Sequence, residues 1–411
     1  MTRNRQFVIA SLGIFVTVGC KDLGTFSDQQ RVPPRPLTSQ EQAIVAADNS
    51  FGFKLLNAVN QGEAGKNVFI SPLSVSMALG MTLNGAVGAT RDSIARTLEC
   101  AGLTQTDINT SYESLIALLT GLDPKVLFQI ANSVWYRPEL SVEEEFKTVN
   151  RQYFNAEINS LDFSDPAAAG AINNWVSRST NGKITEIVNS PIPRDLMMYL
   201  INAIYFKGTW TYRFDPNLTH DDLFELPDGT KKPCQLMYQK GVFPYFADDQ
   251  VQMIDLPYGD AGFSMTVVLP KPGINIDDFV STLTQQQWEE WTAKLAKMEV
   301  DLSLPKFKLE YEKRLNDMLI AMGMGIAFSP SRADFTRIDV RGGLFISEVK
   351  HKTFVQVDEE GTEAAAVTSV GIGRTSIGPV MRIDRPFVFA IRENHSGTIL
   401  FVGKITEPKT S

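Results

Sequence analysis

Residues able to act as a nucleophile, a base or a metal ligand are few in this sequence, and they are not grouped. The chain holds three histidines, His220, His351 and His395, and no Gly-x-Ser-x-Gly turn accompanies them. Serine hydrolases need a nucleophile on such a turn with a base within hydrogen-bond reach. The pattern gives no support to nucleophilic catalysis, and we expect a protein that is not an enzyme.

Two short segments resemble pieces of ligand sites. The segment His220-Asp221-Asp222 offers metal ligands, but no further ligands stand at metal-site spacing, so a solvated loop is the better interpretation. The pair Gly371 and Gly373 lacks the third glycine of a dinucleotide fingerprint and its flanking strand and helix. We therefore expect neither a metal nor any other cofactor.

Small residues dominate the run at 358–368, where Gly361 permits unusual backbone dihedrals. If the run becomes a strand, alternation places Glu363 on one face and Thr362 on the other. The face of Thr362 then carries only small or apolar side chains: Thr362, Ala364, Ala366, Thr368, Val370 and Ile372. Such a face can enter the interior of a sheet. A plain linker rich in small residues is the alternative, and it does not explain the alternation.

The elements that would position these residues follow from caps and periodicity. Residues 38–41 have the form of a capping box that starts an amphipathic helix, and Ser71 with Pro72 predicts the start of the next. A further helix is predicted from 165–166 to 181–182. Helices dominate the first half, and strands are predicted in the second, at 254–257, 265–269 and 302–305. This order favours an α+β fold over a doubly wound sheet.

Six separated motifs follow one another at 67–74, 202–210, 304–307, 345–354, 385–391 and 399–405. Together with the run at 358–368 they resemble the serpin family, in the family's order, from about Gln42 to Pro408. The resemblance implies a serpin fold with three β-sheets, A, B and C, about nine helices and an exposed reactive loop at about 359–381. In this comparison, 202–210, 345–354 and 304–307 are similar to the third, fifth and sixth strands of sheet A.

The resemblance also implies a function, the inhibition of serine-type peptidases by a suicide-substrate mechanism. The target protease attacks the loop and forms an acyl-enzyme, and the cut loop then inserts as a strand into sheet A before water releases the enzyme. Loop insertion of this kind, for which serpins are a known example, is a form of strand addition to a sheet. Expected partners are proteases, serine enzymes first and cysteine enzymes second, and the inhibitor is expected to be a monomer.

Three groups of residues match working parts of the family. The hinge of the loop corresponds to Glu359, Gly361, Thr362, Glu363, Ala364, Ala365 and Ala366. The shutter beneath the two central strands corresponds to Ser71, Ser74, Asn202 and His351. The breach, where the loop enters the sheet, corresponds to Lys306, Trp210 and Glu359, with Lys306 expected to pair with Glu359.

The family's register selects the reactive bond. The spacing forward from Glu359 and the spacing back from Pro386 both end at Thr375, so Thr375-Ser376 is the expected scissile bond. Thr375 suits the pockets of elastase- or subtilisin-like enzymes. Arg374 directly precedes it and suits a trypsin-like pocket, which makes the bond after Arg374 an alternative cut.

A non-inhibitory serpin that acts as a surface binding or structural protein is the alternative function. Such members usually carry bulky, charged or proline residues in the hinge, and this hinge carries none. Val367 stands where alanine is commoner, and Gly371 and Gly373 are poor strand formers. These three residues are mild departures that would slow insertion.

The first twenty residues have the pattern of an export signal. Arg3 and Arg5 precede an apolar run at 7–19 that is too short for a membrane span and suits a signal-peptide core. Residues 17–20 resemble a bacterial lipobox, with Thr17 where Leu or Val is usual, so Cys20 is predicted to carry a lipid. An ordinary cysteine in a secretion signal is the alternative, and the protein would then be secreted.

These patterns predict three segments: a signal peptide at 1–19, the lipidated Cys20 with a proline-containing tether at 20–40, and a single serpin domain at 41–411. A chain of 411 residues would suggest two or three domains on length alone, but no Pro/Gly/Ser-rich linker interrupts it after Gln42. The expected location is extracytoplasmic, on a bacterial membrane or cell surface. Contact with the membrane is expected through the lipid alone.

Composition argues against nucleic acid as a partner and against a disulfide-rich fold. The formal net charge is −8 and no basic patch is clustered, which argues against nucleic acid as a partner. Cys100 and Cys234 remain beside Cys20, and two cysteines in a domain of this size do not make a disulfide framework. Free thiols are expected. The oxidising compartment implied by export leaves a disulfide as the alternative.

Overall fold

The computed structural model of the protein describes residues 34–362 and 378–409. The predictions on the signal peptide and most of the reactive loop lie outside the described residues. This holds for the following named positions: Cys20, Glu363, Ala364, Ala365, Ala366, Arg374, Thr375 and Ser376.

Nine α-helices occur in the described ranges, and five of them precede residue 160. They are α1 (Ser39–Gln61), α2 (Pro72–Leu83), α3 (Gly88–Thr97), α4 (Gln105–Gly121), α5 (Glu144–Phe154), α6 (Ala168–Ser179), α7 (Ile276–Thr282), α8 (Gln285–Thr292) and α9 (Asn316–Leu319). Short turns of other helix types occupy Pro216–Leu218, Ile320–Met324 and Gly325–Phe328. No described helix is long and apolar enough to cross a membrane.

Side-chain caps explain where the first helices begin. The Thr38 hydroxyl accepts from the Glu41 amide and the Glu41 carboxylate accepts from the Thr38 amide, which is the capping box predicted for α1. Ser71 caps α2 and Pro72 occupies its first turn, also as predicted. Helix α6 begins at Ala168, later than predicted. Residues 165–168 form a turn instead, in which the Ala167 amide donates to the Asp165 carboxylate and the Ala168 amide donates to the Asp165 carbonyl.

Fifteen strands occur in the described ranges, and twelve of them follow residue 190. They are β1 (Val68–Ile70), β2 (Val126–Tyr136), β3 (Ala156–Ser160), β4 (Met198–Thr209), β5 (His220–Glu225), β6 (Lys231–Ala247), β7 (Val251–Tyr258), β8 (Phe263–Pro270), β9 (Ala296–Pro305), β10 (Phe307–Arg314), β11 (Lys350–Asp358), β12 (Gly361–Thr362), β13 (Val380–Arg382), β14 (Phe387–Glu393) and β15 (Ile399–Ile405). The predicted order of helices followed by strands is confirmed.

The strands form two sheets in the described part of the chain. The smaller has six strands in the order β10-β11-β12-β4-β2-β3, and it corresponds to the expected sheet A. The larger has nine strands, β1-β15-β14-β8-β7-β6-β9-β13, with β5 beside β6. The expected sheets B and C are joined in it because the long strand β6 pairs in turn with β5, β9 and β7.

One prediction of local structure was wrong. Residues 345–354 were expected to form a single strand, but β11 begins only at Lys350. The ladder with β10 ends at the pair Arg314 and Lys350, so the preceding residues have no strand partner on that side. They are held by other contacts instead: the Asn316 side chain donates to the Ser347 carbonyl and accepts from the Val349 amide.

Two apolar clusters support the smaller sheet. The main core joins both sheets to α1, α2 and α4, and in it the Phe69 ring stacks on those of Phe389 and Phe401 at 5.4 and 5.2 Å. A second cluster lies under α6, where Trp175 meets Trp135 of β2 at 6.4 Å. Helix α6 is therefore packed on the sheet face beside β4.

Candidate functional site: the opening in the six-stranded sheet

Strands β4 and β11 flank an opening in the smaller sheet. At its top the two-residue strand β12 lies between them, with Thr362 opposite Gly208 on β4 and opposite Val357 on β11. Among the described residues no strand pairing joins β4 directly to β11. In the described part of the chain, β12 is thus the strand that joins the two halves of the sheet.

Glycines make the close approach at the top of the opening possible. Gly361 has φ +150°, and a Cβ there would stand 2.1 Å from the Gly208 carbonyl oxygen. A Cβ at Gly208 would stand 2.7 Å from the ring of Tyr258. Any side chain at either position would force the strands apart, because both clashes are with backbone or with a packed ring. The glycine of the hinge therefore has a steric role already in the uncut chain.

Thr362 is buried and its hydroxyl meets that of Tyr258. The two oxygens are 2.7 Å apart, and Thr362 is 2% exposed. The Tyr258 ring stacks on Trp210 with centroids 4.4 Å apart and an interplanar angle of 10°. The first hinge side chain that was expected to point inward therefore lies in a closed aromatic slot.

The turn at 358–360, where the hinge begins, is fixed by hydrogen bonds from Trp210 and Phe214. Its indole N–H donates to the Asp358 carbonyl at 2.9 Å, and its backbone N–H donates to the Glu360 carbonyl at 2.9 Å. The Phe214 amide donates to the Glu359 carbonyl at 3.0 Å. Residues 358–360 are therefore held to the end of β4 by three hydrogen bonds.

The structure brings the remaining breach residues together. Lys306 Nζ lies 2.9 Å from Glu359 Oε2 and 3.0 Å from Oε1, which also accepts from the Thr219 hydroxyl at 2.8 Å. Burial raises the pKa of the Glu359 carboxyl, but the hydrogen bonds from Lys306, its own backbone and Thr219 outweigh burial and leave the pKa below its usual value. Both side chains are largely buried, so solvent screens this pair less than an exposed one.

A cleft continues the opening below β12. It has a volume of about 170 Å³. One wall is the first half of β4, including Leu200 and Asn202, and the other is the segment at 343–352. Ser74 and Leu79 of α2 contribute to its lining, as does the connection after α6 at 184–188. The cleft thus lies between the strands that β12 separates at the top.

The shutter residues form one chain of hydrogen bonds, in which the Ser74 amide donates to the Ser71 hydroxyl oxygen at 3.3 Å. The Ser71 amide donates to His351 Nε2 at 2.9 Å. The Ser74 hydroxyl donates to the Asn202 carbonyl at 3.3 Å, and the Asn202 side chain donates to Asn132 Oδ1 at 2.8 Å. Helix α2 is therefore hydrogen-bonded to strands on both sides of the opening.

Burial sets the protonation of His351. The ring is 4% exposed, and burial lowers its pKa to about 4. A neutral ring leaves Nε2 free to accept from Ser71, whereas a charged ring would lose that bond. The contact between α2 and β11 therefore depends on the neutral form.

The far end of the reactive loop is also anchored. Gly378 and Pro379 lead into β13, which pairs in parallel with β9, and the Asp301 amide donates to the Pro379 carbonyl at 3.0 Å. A Cβ at Gly378 would stand 2.0 Å from the Glu299 carbonyl oxygen. The chain thus leaves the smaller sheet at Thr362 and enters the larger sheet at Val380.

The remaining chemical candidates are not assembled into a site. His220 lies 3.5 Å from Asp222, which also pairs with Arg382, and the described residues contain no group of His, Cys, Asp and Glu able to hold a metal ion. Cys100 and Cys234 are buried, and neither takes part in a disulfide within the described residues. Burial raises their pKa values to about 12 and about 11, so neither thiol is a ready nucleophile.

Three residues of the site were missed by the sequence motifs. Tyr258 meets the hinge threonine, Thr219 binds Glu359, and Asn132 binds Asn202. Tyr258 directly follows the strand predicted at 254–257, and nothing in its local pattern marks it. Its role depends on a crossing of distant strands. Asn132 directly opposes Asn202 in the ladder of β2 and β4, a register that periodicity alone does not give.

Comparison with known proteins gives a consistent result over most of the chain. A family model described as Serpin (serine protease inhibitor) matches residues 46–408. The chain is 34% identical to human Serpin B9 over 377 residues, which cover 89% of this chain and 100% of that protein. It is also 34% identical to the leukocyte elastase inhibitor of Xenopus laevis over 380 residues, covering 89% and 99%.

Solved structures agree with the sequence relatives. The native state of tengpin, a thermophilic serpin, is similar with a TM-score of 0.82 and 32% identity, over 92% of this chain and 96% of that one. Human thyroxine-binding globulin complexed with thyroxine is similar with a TM-score of 0.84 and 29% identity, over 90% and 100%. These relatives are inhibitors or binding proteins and not enzymes. The chain belongs to the serpin family.

Proposed function

We propose that this serpin is an inhibitor that traps serine proteases as a suicide substrate. The serine hydroxyl of the protease attacks the carbonyl carbon of Thr375, and the peptide bond to Ser376 breaks. The nitrogen of Ser376 leaves with a proton, and an ester joins the protease to Thr375. Insertion of the freed loop into the six-stranded sheet then competes with hydrolysis of this ester.

The opening between β4 and β11 is the observation that carries the proposal. Among the described residues β12 lies at its top, and below β12 no strand is paired between the facing edges of β4 and β11, which border the cleft. The thirteen residues at 363–375 directly follow β12 in the chain. At about 3.3 Å per residue they span roughly 40 Å as a strand, enough to carry the esterified end down the length of the opening.

The alternation of small residues supports insertion in the register of β12. Thr362 points inward, and every second residue after it has a small or apolar side chain. A strand that continued β12 would place Glu363 on the other face, away from the core, so no charge is buried. The non-inhibitory alternative requires a hinge that resists insertion, whereas Gly361 and Thr362 of the hinge are already paired within the sheet.

Two classes of target follow from the residues before the cut. Thr375 fits an elastase- or subtilisin-like pocket, and Arg374 fits a trypsin-like pocket. Similarity to proteins named leukocyte elastase inhibitors supports the first class. A cut after Arg374 shortens the tether by one residue, which should leave the bound trypsin less distorted and let more of it escape by hydrolysis.

Incubation with trypsin and with an elastase tests the proposal directly. We expect a complex that resists SDS with each enzyme, and more cleaved inhibitor per complex with trypsin. Arg374→Ala should abolish the trypsin complex and leave the elastase complex unchanged, because it removes the side chain that fills the trypsin pocket. Fragment masses should locate the cuts after Arg374 and Thr375.

The same experiment separates the proposal from its alternative. Cleavage of the loop by both enzymes without any stable complex would favour the non-inhibitory function. Cuts in productive complexes several residues away from Thr375, or loss of both complexes in Arg374→Ala, would show that the assigned reactive bond is wrong.

We also propose that the protein works outside the cytoplasm, tethered by a lipid on Cys20, as a monomer. The export pattern at 1–19 and the lipobox-like residues 17–20 support this location. A tether at 20–40 with Pro33, Pro34 and Pro36 would hold the inhibitor away from the membrane surface.

Membrane partition of the full-length chain checks the anchor. The wild-type protein, expressed in a bacterium with a lipoprotein pathway, should partition into detergent, and Cys20→Ala should remain in the aqueous phase because it has no thiol to acylate. Cys100→Ala is the matched control, since that thiol is buried in the folded protein, and it should partition like the wild type. Equal partition of wild type and Cys20→Ala would remove the anchor from the proposal.

A further inference from the structure

The hydroxyl of Tyr258 has one role that packing does not explain. The ring is held by aromatic contacts: it stacks on Trp210 and meets the edge of Phe206 at 5.1 Å and 69°. These contacts would hold a phenylalanine equally well. Tyr258 is 0% exposed, and in the described part of the chain its hydroxyl bonds with Thr362 Oγ1. A buried hydroxyl needs such a partner, since leaving it unpaired costs free energy.

The hydrogen bond also places a requirement on Thr362, the partner of Tyr258. Thr362 is buried before any cut in the loop, with backbone pairing to β4 on one side and β11 on the other. Its hydroxyl is matched by that of Tyr258, whereas a valine of the same shape would leave the tyrosine unpaired. Burial raises the pKa of Tyr258 far above its usual value, so the phenol keeps its proton and can donate.

We propose that Tyr258 is a positioning residue that holds the hinge of the uncleaved loop partly inserted in the sheet, with Thr362 as its hydrogen-bond partner. The hinge is then seated by three fixed features: the crossing of Gly361 over Gly208, the hydroxyl pair, and the hydrogen bonds from Trp210 to the preceding turn. Tyr258 selects a hydroxyl at position 362.

The consequence for inhibition rests on the proposed function. A strand that starts from a seated residue grows next to one already in place and does not first have to close a loop onto the sheet. Insertion after the cut would therefore begin at Glu363 at once and compete better with hydrolysis of the ester. A hinge that left the slot would have to find it again first.

Hydrogen exchange in the uncleaved protein, without any protease, tests the seating itself. Exchange should be slow in the wild type at 206–210 and 357–362. Tyr258→Phe and Thr362→Val should each speed it about five-fold, the effect of losing one hydrogen bond of roughly 1 kcal/mol. Thr362→Ser keeps the hydroxyl and should exchange like the wild type. Tyr311→Phe is the matched control, because it removes a buried hydroxyl that has no described partner, and it should leave these segments unchanged.

The double variant Tyr258→Phe/Thr362→Val decides whether the two residues act together. Its effect should be no larger than that of the stronger single change, because each single change already breaks the same bond. The proposal would be overturned if the exchange rate of the double variant rose by the product of the two single effects. It would also be overturned if residues 357–362 of the wild type exchanged as fast as an open loop. If the two residues are coupled in hydrogen exchange but no protease complex forms, the role of Tyr258 stands and the inhibitory function is wrong. If complexes form although the hinge amides exchange fast in the wild type, the inhibitory function stands and the role of Tyr258 is wrong.

Discussion

Cleavage of the reactive loop is expected to raise the melting temperature of the protein by tens of degrees. Of the residues that the structure describes, Gly361 and Thr362 alone lie between β4 and β11, and the segment at 343–352 lines a cleft on the side that faces β4. Insertion of 363–375 would give thirteen residues neighbours on both sides. At roughly 1 kcal/mol net for each hydrogen bond, the gain in unfolding free energy is on the order of 10 kcal/mol.

This gain is large compared with the usual effect of a single change. In domains of a few hundred residues 1 kcal/mol shifts the melting temperature by about 2–4 °C, so a gain of this size corresponds to tens of degrees. The measurement is a thermal melt of the protein before and after a limited cut with an elastase, with uncut protein incubated in parallel as the control. A nicked protein that melts at the unchanged temperature would mean that the loop does not insert.

Local signals predicted the start of the helical half well. Thr38 with Glu41 and Ser71 with Pro72 act within one turn of the backbone, so residue type alone fixes where α1 and α2 begin. The strands at 254–257, 265–269 and 302–305 were found for the same reason, since each is an apolar run bounded by turn residues or proline.

Properties that depend on distant partners were less accessible. The expected strand at 345–349 failed because strand β10 ends opposite Lys350, and a strand needs a neighbour as well as a pattern. The joining of two expected sheets depends on which partners β6 meets along its length. Neither fact is encoded in the periodicity of the segments themselves.

In the candidate site, too, residues within local motifs could be predicted and contacts between distant strands could not. The motifs named Lys306, Glu359 and Trp210, and the structure places them around one turn. They did not name Tyr258, whose contact with Thr362 arises only because β7 passes beneath the crossing of Gly208 and Gly361. An isolated aromatic at a strand end carries no signal of that crossing. From the sequence, Thr362 was expected to turn inward when the cut loop inserts. In the uncut chain it is already buried.

Thr362→Arg is expected to convert the inhibitor into a substrate. The slot at Thr362 is closed by the Tyr258 ring and by the two flanking strands, and the side-chain partner of Thr362 there is the neutral hydroxyl of Tyr258. An arginine there would be an unpaired buried charge, which costs about 3–5 kcal/mol. The hinge should therefore stay out of the sheet, and insertion should start late.

The outcome depends on a competition between two rates. Each 1.4 kcal/mol added to the insertion barrier slows insertion about tenfold, while hydrolysis of the ester is unaffected. The number of inhibitor molecules consumed per protease trapped should accordingly rise by at least about ten-fold, and the products should be cleaved inhibitor and free enzyme. Titration of a fixed amount of elastase, with SDS gels of the products, measures this ratio.

Glu363→Arg is the matched control, because it introduces the same side chain one residue further along, on the face that alternation directs away from the core. This variant should consume about as much inhibitor per trapped protease as the wild type. If Thr362→Arg inhibited with the wild-type ratio, the inward face assigned to the inserted strand would be wrong. If both variants failed equally, charge in the loop rather than burial at Thr362 would be responsible.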